Sequence, residues 1–122
     1  MKNTLGQQRA AYCLKQLQNL NDGIRADFKP LSAGLPAMIM QNGFGQTLAF
    51  LVAKGKEKHI AAFTIIAEWL IEQNVLNADR PREMLQQISK LDQSKYLHAQ
   101  KETLAMLEWL KRYANAGLFG GE

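Results

Sequence analysis

Few residues of this chain can do covalent or metal chemistry. Its histidines are His59 and His98 and its one cysteine is Cys13, so a histidine–cysteine metal or nucleophile site could draw only on these three. A metal site or a cysteine–histidine nucleophile would show a spacing such as CxxC or HExxH, and none occurs. Cys13 falls on an apolar helical stripe, where a lone thiol behaves as a small hydrophobe. Glu68 and Glu72 stand four apart, so a helix would put both carboxylates on one face, as a general acid and base require. No nucleophile or cofactor motif accompanies them, and a solvated or interface stripe is the simpler account. Gly43-Phe44-Gly45 is not a phosphate loop, because it lacks the preceding strand, the third glycine of GxGxxG and a following GK[ST]. No catalytic residue, metal or cofactor is expected.

The basic residues are better candidates. Lys+Arg outnumber Asp+Glu by 15 to 11, for a net charge of +4, which mildly favours acidic partners such as nucleic acid. Lys54, Lys56 and Lys58 cluster in one basic loop. Lys101, Lys111 and Arg112 lie on the last expected helix, and Arg9 and Lys15 on the first. Each alone reads as a solvated charge. Together they can form a groove wall that holds a phosphate backbone without reading bases. Tyr12 stands three residues after Arg9, so the two can share a face. Stacking on a base is one role for it, and packing at the edge of the core is the simpler one.

These residues are positioned by helices. Apolar residues recur at spacings of three and four, and alternating β-branched runs are absent, so the fold class is all-α. The 122 residues, 47% of them hydrophobic, suit one helical domain over 1–122, a bundle of about five helices. The first runs from about Thr4 to Ile24, with Ala10, Cys13, Leu17, Leu20 and Ile24 along one face. Residues 28–34 read as a linker, punctuated by Pro30 and Gly34. The second helix starts near Pro36 and reaches Lys54, with Gly55 as its C-cap. The third, about Lys58 to Asn74, is apolar almost all round, with Thr64, Glu68 and Glu72 as a narrow polar stripe, so it is central or covered by a partner. Asn77 to Pro81 forms a turn and N-cap before a short helix to Lys90. The last helix runs from about Asp92 to Ala116, with Glu108 and Arg112 paired on its outer face. Residues 118–122 form a frayed tail. One cysteine precludes an internal disulfide, the N-terminus lacks an apolar signal core, and no apolar run nears the roughly 20 residues of a membrane span. A cytoplasmic protein with no membrane partner is expected.

The stretch from Leu35 to Phe50 breaks the pattern. It is apolar and helix-like, yet Gly43 and Gly45 interrupt it, flanked by Gln41, Asn42 and Gln46. Each internal glycine costs about 1 kcal/mol relative to alanine. The second helix is therefore expected to be bent or split there, for a turn, a close backbone approach, or both.

Three blocks, taken together, closely resemble the small all-helical subunit of the type III-B CRISPR effector, the Cmr (RAMP module) complex. They are Arg9-Ala10-Ala11-Tyr12, then Leu35-Pro36-Ala37-Met38-Ile39 running into Asn42-Gly43-Phe44-Gly45-Gln46-Thr47-Leu48-Ala49-Phe50, and then Tyr96 through Glu102 to Trp109-Leu110-Lys111-Arg112-Tyr113-Ala114. They span nearly the whole chain in the family's order. The resemblance implies a non-catalytic protein that stacks in several copies, head to tail, along the inner filament of a crRNA-guided ribonucleoprotein used in antiviral defence. Its implied partners are the RAMP backbone subunits, the large subunit, neighbouring copies of itself and the crRNA–target RNA duplex whose channel it lines. Target cleavage would belong to the backbone subunits, and DNA cleavage and cyclic oligoadenylate synthesis to the large subunit.

Carried over by position, Arg9, Lys101, Lys111 and Arg112 match basic positions of the family pattern. Arg9, Lys15, Lys54, Lys101 and Arg112 are the candidate RNA-backbone contacts. Gln41, Asn42, Gly43, Gly45 and Gln46 form its glycine segment, a subunit-interface or motif segment. Beside Tyr96, where relatives carry further basic residues, this chain has Leu97 and His98. The alternative is a free-standing helical nucleic-acid-binding regulator. Its recognition helix would have to be the short one around Arg80-Pro81-Arg82-Glu83, which is poorly suited to that task.

Overall fold

The computed structural model describes residues 3–78 and 80–120. The first helix, α1, spans Leu5–Gln18 and begins where Thr4 caps it. The Thr4 hydroxyl accepts the Gln7 N–H at 3.1 Å, and the Gln7 side-chain oxygen accepts the Thr4 N–H at 2.8 Å, closing a capping box. α1 stops at Gln18, short of the expected Ile24. Downstream, the Asn21 side chain accepts the Gly23 N–H at 3.0 Å and starts a 3₁₀ turn, Asp22–Ile24. A short polar side chain that bonds its own backbone competes with the helix in this way.

The expected linker at 28–34 is not a linker. It lies inside α2, Arg25–Asn42, with Pro30 and Pro36 both in the helix. Phe28, Ser32, Leu35 and Ile39, spaced four, three and four apart, are all buried and form a helical stripe. Each proline costs about 3 kcal/mol in a helix, while burying Phe28, Leu35 and Ile39 returns roughly 1.5–3 kcal/mol apiece. Packing therefore offsets the proline penalty that the local sequence announces. Ala26 and Pro30 are exposed, so water reaches the carbonyl that Pro30 leaves without a helical partner.

At Gly43 the chain takes φ +92°, which ends α2 and starts α3, Phe44–Lys54. The expected split thus makes two separate helices, and the described residues hold six α-helices and no strand. Gly55, at φ +65°, caps α3 and turns the chain into α4, Glu57–Glu72. α4 is the central helix: Ala62, Phe63, Ile65, Ile66, Ala67, Trp69 and Leu70 are buried, and Thr64, Glu68 and Glu72 are its exposed stripe. The turn that follows is tied by the Gln87 side-chain oxygen, which accepts the Asn77 and Ala78 N–H groups, each at 3.2 Å. Asp79, part of the expected turn, lies outside the described residues. Pro81 opens α5, Pro81–Ser89, and Asp92 caps α6, Gln93–Asn115.

Contacts fix the helix directions. Arg9 meets Glu102 and Cys13 meets the Met106 carbonyl, so α1 and α6 run parallel. Gly45 meets Tyr96 at one end and Arg25 meets Phe119 at the other, so α2 runs antiparallel to α6. The core draws side chains from all six helices. It also takes in part of the expected frayed tail. Phe119 is buried, with the Arg25 guanidinium 5.6 Å from its ring centre, and Gly120 sits so close to the Gln18 carbonyl that no Cβ fits. Residues 118–120 are thus held by an aromatic anchor, while 121–122 lie outside the described residues. Among the described residues no helix is long and apolar enough to cross a membrane.

Candidate RNA and partner surface

The glycine segment answers both demands that the sequence raises. Gly43 makes the turn, in a backbone conformation that side chains resist. Its carbonyl accepts the Thr47 N–H at 3.1 Å and the Thr47 hydroxyl at 2.9 Å. Gly45 makes the close approach. The first N–H groups of a helix lack intrahelical acceptors, and here α6 supplies them. The Phe44 N–H donates to the Gln100 side-chain oxygen at 3.2 Å, and the Gly45 N–H donates to the Tyr96 hydroxyl at 2.9 Å. A Cβ at Gly45 would lie 3.4 Å from that hydroxyl. The Phe44 and Tyr96 rings meet edge to face at 5.8 Å.

The elbow also shapes the surface. Met38, Gln41 and Asn42 from α2, with Gln46, Thr47 and Phe50 from α3, line an open groove of about 590 Å³. Gln41, Asn42 and Gln46 are exposed. Lys54, one turn past Phe50, places its ammonium 5.8 Å from the Phe50 ring centre.

The other basic candidates do not converge on this groove. Arg9 is committed inward. Its Nε donates to Glu102 Oε2 at 2.7 Å and its second guanidinium nitrogen to Oε1 at 2.8 Å. Trp69 Nε1 donates to the same carboxylate at 3.0 Å. Burial pushes the Glu102 carboxyl upward, but the Arg9 and Trp69 hydrogen bonds outweigh it and hold the group below the usual carboxylate range. Lys15 is exposed and lines a second groove, of about 390 Å³, together with Glu68 and Glu72. Lys101 and Arg112, eleven residues apart, lie three turns along one exposed side of α6. Arg112 is not paired with Glu108 as expected. Lys111 takes that carboxylate instead, at 3.2 Å, leaving Arg112 exposed.

Tyr12 is unavailable for stacking on a base. It is buried, its hydroxyl donates to the Ile65 carbonyl at 2.6 Å, and its ring packs 4.9 Å from that of Trp69. Cys13 is fully buried, and burial pushes its thiol up to about 12. The Arg9–Glu102–Trp69 network escaped the sequence reading. Its signal was there: Glu102 falls between Ala99 and Met106 on the inward stripe of α6, where a charge needs a partner.

The profile of a family described as "CRISPR-associated protein (Cas_Cmr5)" matches residues 5–117, from the first residue of α1 to just past the end of α6. The chain belongs to this Cmr5 family. A protein described as CRISPR system Cmr subunit Cmr5 from Thermus thermophilus is 33% identical over 92 residues, which are 75% of this chain and 75% of that protein. Another of the same description, from Thermotoga maritima, is 32% identical over 120 residues, 98% of this chain and 88% of that one. The crystal structure of a Cmr5 family protein, also from Thermus thermophilus, superposes with a TM-score of 0.79 at 28% identity, covering 94% of this chain and 97% of that one. The Cmr5 match therefore takes in the whole bundle, including the glycine elbow and the Arg9–Glu102 pair.

Proposed function

We propose that this protein is a non-catalytic structural subunit of a type III-B CRISPR effector. In this reading several copies stack along the inner filament, brace the RAMP backbone subunits and line the channel of the guide–target RNA duplex. Membership of the Cmr5 family carries the reading, since two relatives of that description are named as Cmr subunits.

The surface supports it. After Lys29, the exposed side of α2 presents Pro30, Ala33, Gly34, Ala37 and Met40, without a charge, and Met40 is 70% exposed. Depletion of charge is what marks the core of a protein interface. Lys101 and Arg112 on α6 give a separate cationic face for phosphates. A protein with two unlike faces can join head to tail, and such contacts make an open filament when their rotation does not close. Sequence reading in RNA-guided effectors rests with base pairing, so modest, backbone-directed contacts suffice, multiplied over the copies. The Tyr12 hydroxyl and the Cys13 thiol are both committed inside the core.

The test is a pull-down of the tagged protein from its native host, with mass spectrometry and RNA sequencing. Recovery of RAMP subunits with a repeat-tagged guide RNA is the expected result. Clean recovery of the protein alone, from a host expressing such a complex, would overturn the reading.

A further inference from the structure

We infer that the groove at the α2–α3 elbow is a docking site for a single unpaired nucleobase of RNA. The inference rests on the reading above that the chain works against RNA, and it adds a ligand class which that reading lacks. Three exposed carboxamides, Gln41, Asn42 and Gln46, border one groove. Each carboxamide offers a donor and an acceptor side by side. Base edges present the same alternation, which is why asparagine and glutamine pair with them. A plain phosphate site would need donors alone.

The rest of the groove fits a base. Met38 and the half-buried Phe50 supply apolar wall for its faces, as aromatic side chains do in single-strand recognition. The volume, about 590 Å³, lies inside the roughly 300–1,000 Å³ range of small-molecule sites. Charge points the same way. None of the lining residues is a carboxylate, α3 carries no acidic residue, and α2 carries none after Asp27. Lys54, held over Phe50, stands where it can meet the phosphate of the same nucleotide. A base in a duplex has its pairing edge occupied, so the groove selects an unpaired one. The amides sit on two helices joined at Gly43, and the Tyr96 and Gln100 bonds tie the start of α3 to α6, so the backbone of the elbow is fixed.

The experiment titrates the full chain, labelled with nitrogen-15, with a mixed-sequence hexaribonucleotide and separately with a hexamer duplex. A triple variant Gln41→Ala, Asn42→Ala, Gln46→Ala, at exposed positions, serves as the comparison. The expected result is movement of the three side-chain NH₂ resonances with single strand and not with duplex, and a loss of affinity of about tenfold or more in the variant. Unmoved amide resonances at millimolar single strand, or equal binding by the variant, overturns the inference. A variant that binds the hexamer normally but fails to enter the effector complex also overturns it. That outcome makes the groove a protein contact and leaves the subunit reading standing.

Discussion

The Tyr96 hydroxyl accepts the Gly45 N–H at 2.9 Å, so a side chain of α6 caps the start of α3 fifty-one residues away. The demand for glycine is thus internal to the protein. Gly45→Ala brings a Cβ to 3.4 Å from the hydroxyl and needs a small shift of Tyr96. Gly43→Ala is worse, because φ +92° with ψ 159° is a region open essentially to glycine alone and costs any residue with a Cβ about 1–3 kcal/mol. Tyr96→Phe removes the acceptor and loses roughly 1 kcal/mol. Urea unfolding of the three variants should rank Gly43→Ala as the most damaging. Equal stability of Gly43→Ala and wild type would show that the elbow is not fixed by that turn.

The Arg9–Glu102 pair makes a second prediction. Arg9→Met leaves Glu102 buried with only the Trp69 N–H, and breaking a buried pair in this way costs about 3–5 kcal/mol. Replacing both, as Arg9→Met with Glu102→Leu, should recover only part of that loss: no charge then remains buried, but the buried Trp69 N–H loses its acceptor, at about 1–3 kcal/mol. A double-mutant cycle by chemical denaturation measures it. The Glu102 carboxyl is held low in the folded state, so its stabilisation is present above the ordinary carboxylate range and is lost as pH falls through the lower folded value. The wild type should therefore lose stability on acidification more steeply than the double variant.

His59 makes a third prediction. It is buried, its Nδ1 has no partner, and its ring meets Phe50 at 5.7 Å. Burial, then the charges of Lys58, Lys54 and Lys56, lower its pKa below 6.5. The unfolded chain then binds the proton more readily, so stability is full above about pH 6.5 and falls as the pH drops towards the folded value. The His59→Gln variant should unfold at more nearly equal denaturant concentrations at pH 7 and pH 5, where the wild type shifts. Identical shifts in both proteins would remove His59 as the cause.

Much of this architecture was legible in the sequence, and the failures have physical causes. The apolar circumference of α4 announced a central helix, and the paired glycines announced both a turn and a contact. The break at Pro30 was misread because local propensity counts the proline penalty and cannot see that Phe28, Leu35 and Ile39 are buried together. The end of the chain was misread for the same reason, since Phe119 is held by a distant Arg25. Arg9 looked like a surface cation because its partner is ninety-three residues away. Long-range pairing, rather than helix formation, is the part that residue spacing leaves open.

Lys101 and Arg112 carry the last prediction. Both are exposed on one side of α6, and among the described residues neither is in an ion pair: the neighbouring Glu108 is taken by Lys111 at 3.2 Å. Reversing both to glutamate should leave the unfolding free energy within about 1 kcal/mol of wild type, at about 0.5 kcal/mol for each surface position. In the assembled complex it should weaken target-RNA retention and flatten its dependence on salt, since each lost phosphate contact lowers the slope of log affinity against log salt by about 0.7–0.9. Filter binding between low and physiological salt reads both quantities on the same sample. A complex that incorporates the double variant and keeps both its RNA affinity and its salt slope would move the RNA path away from α6.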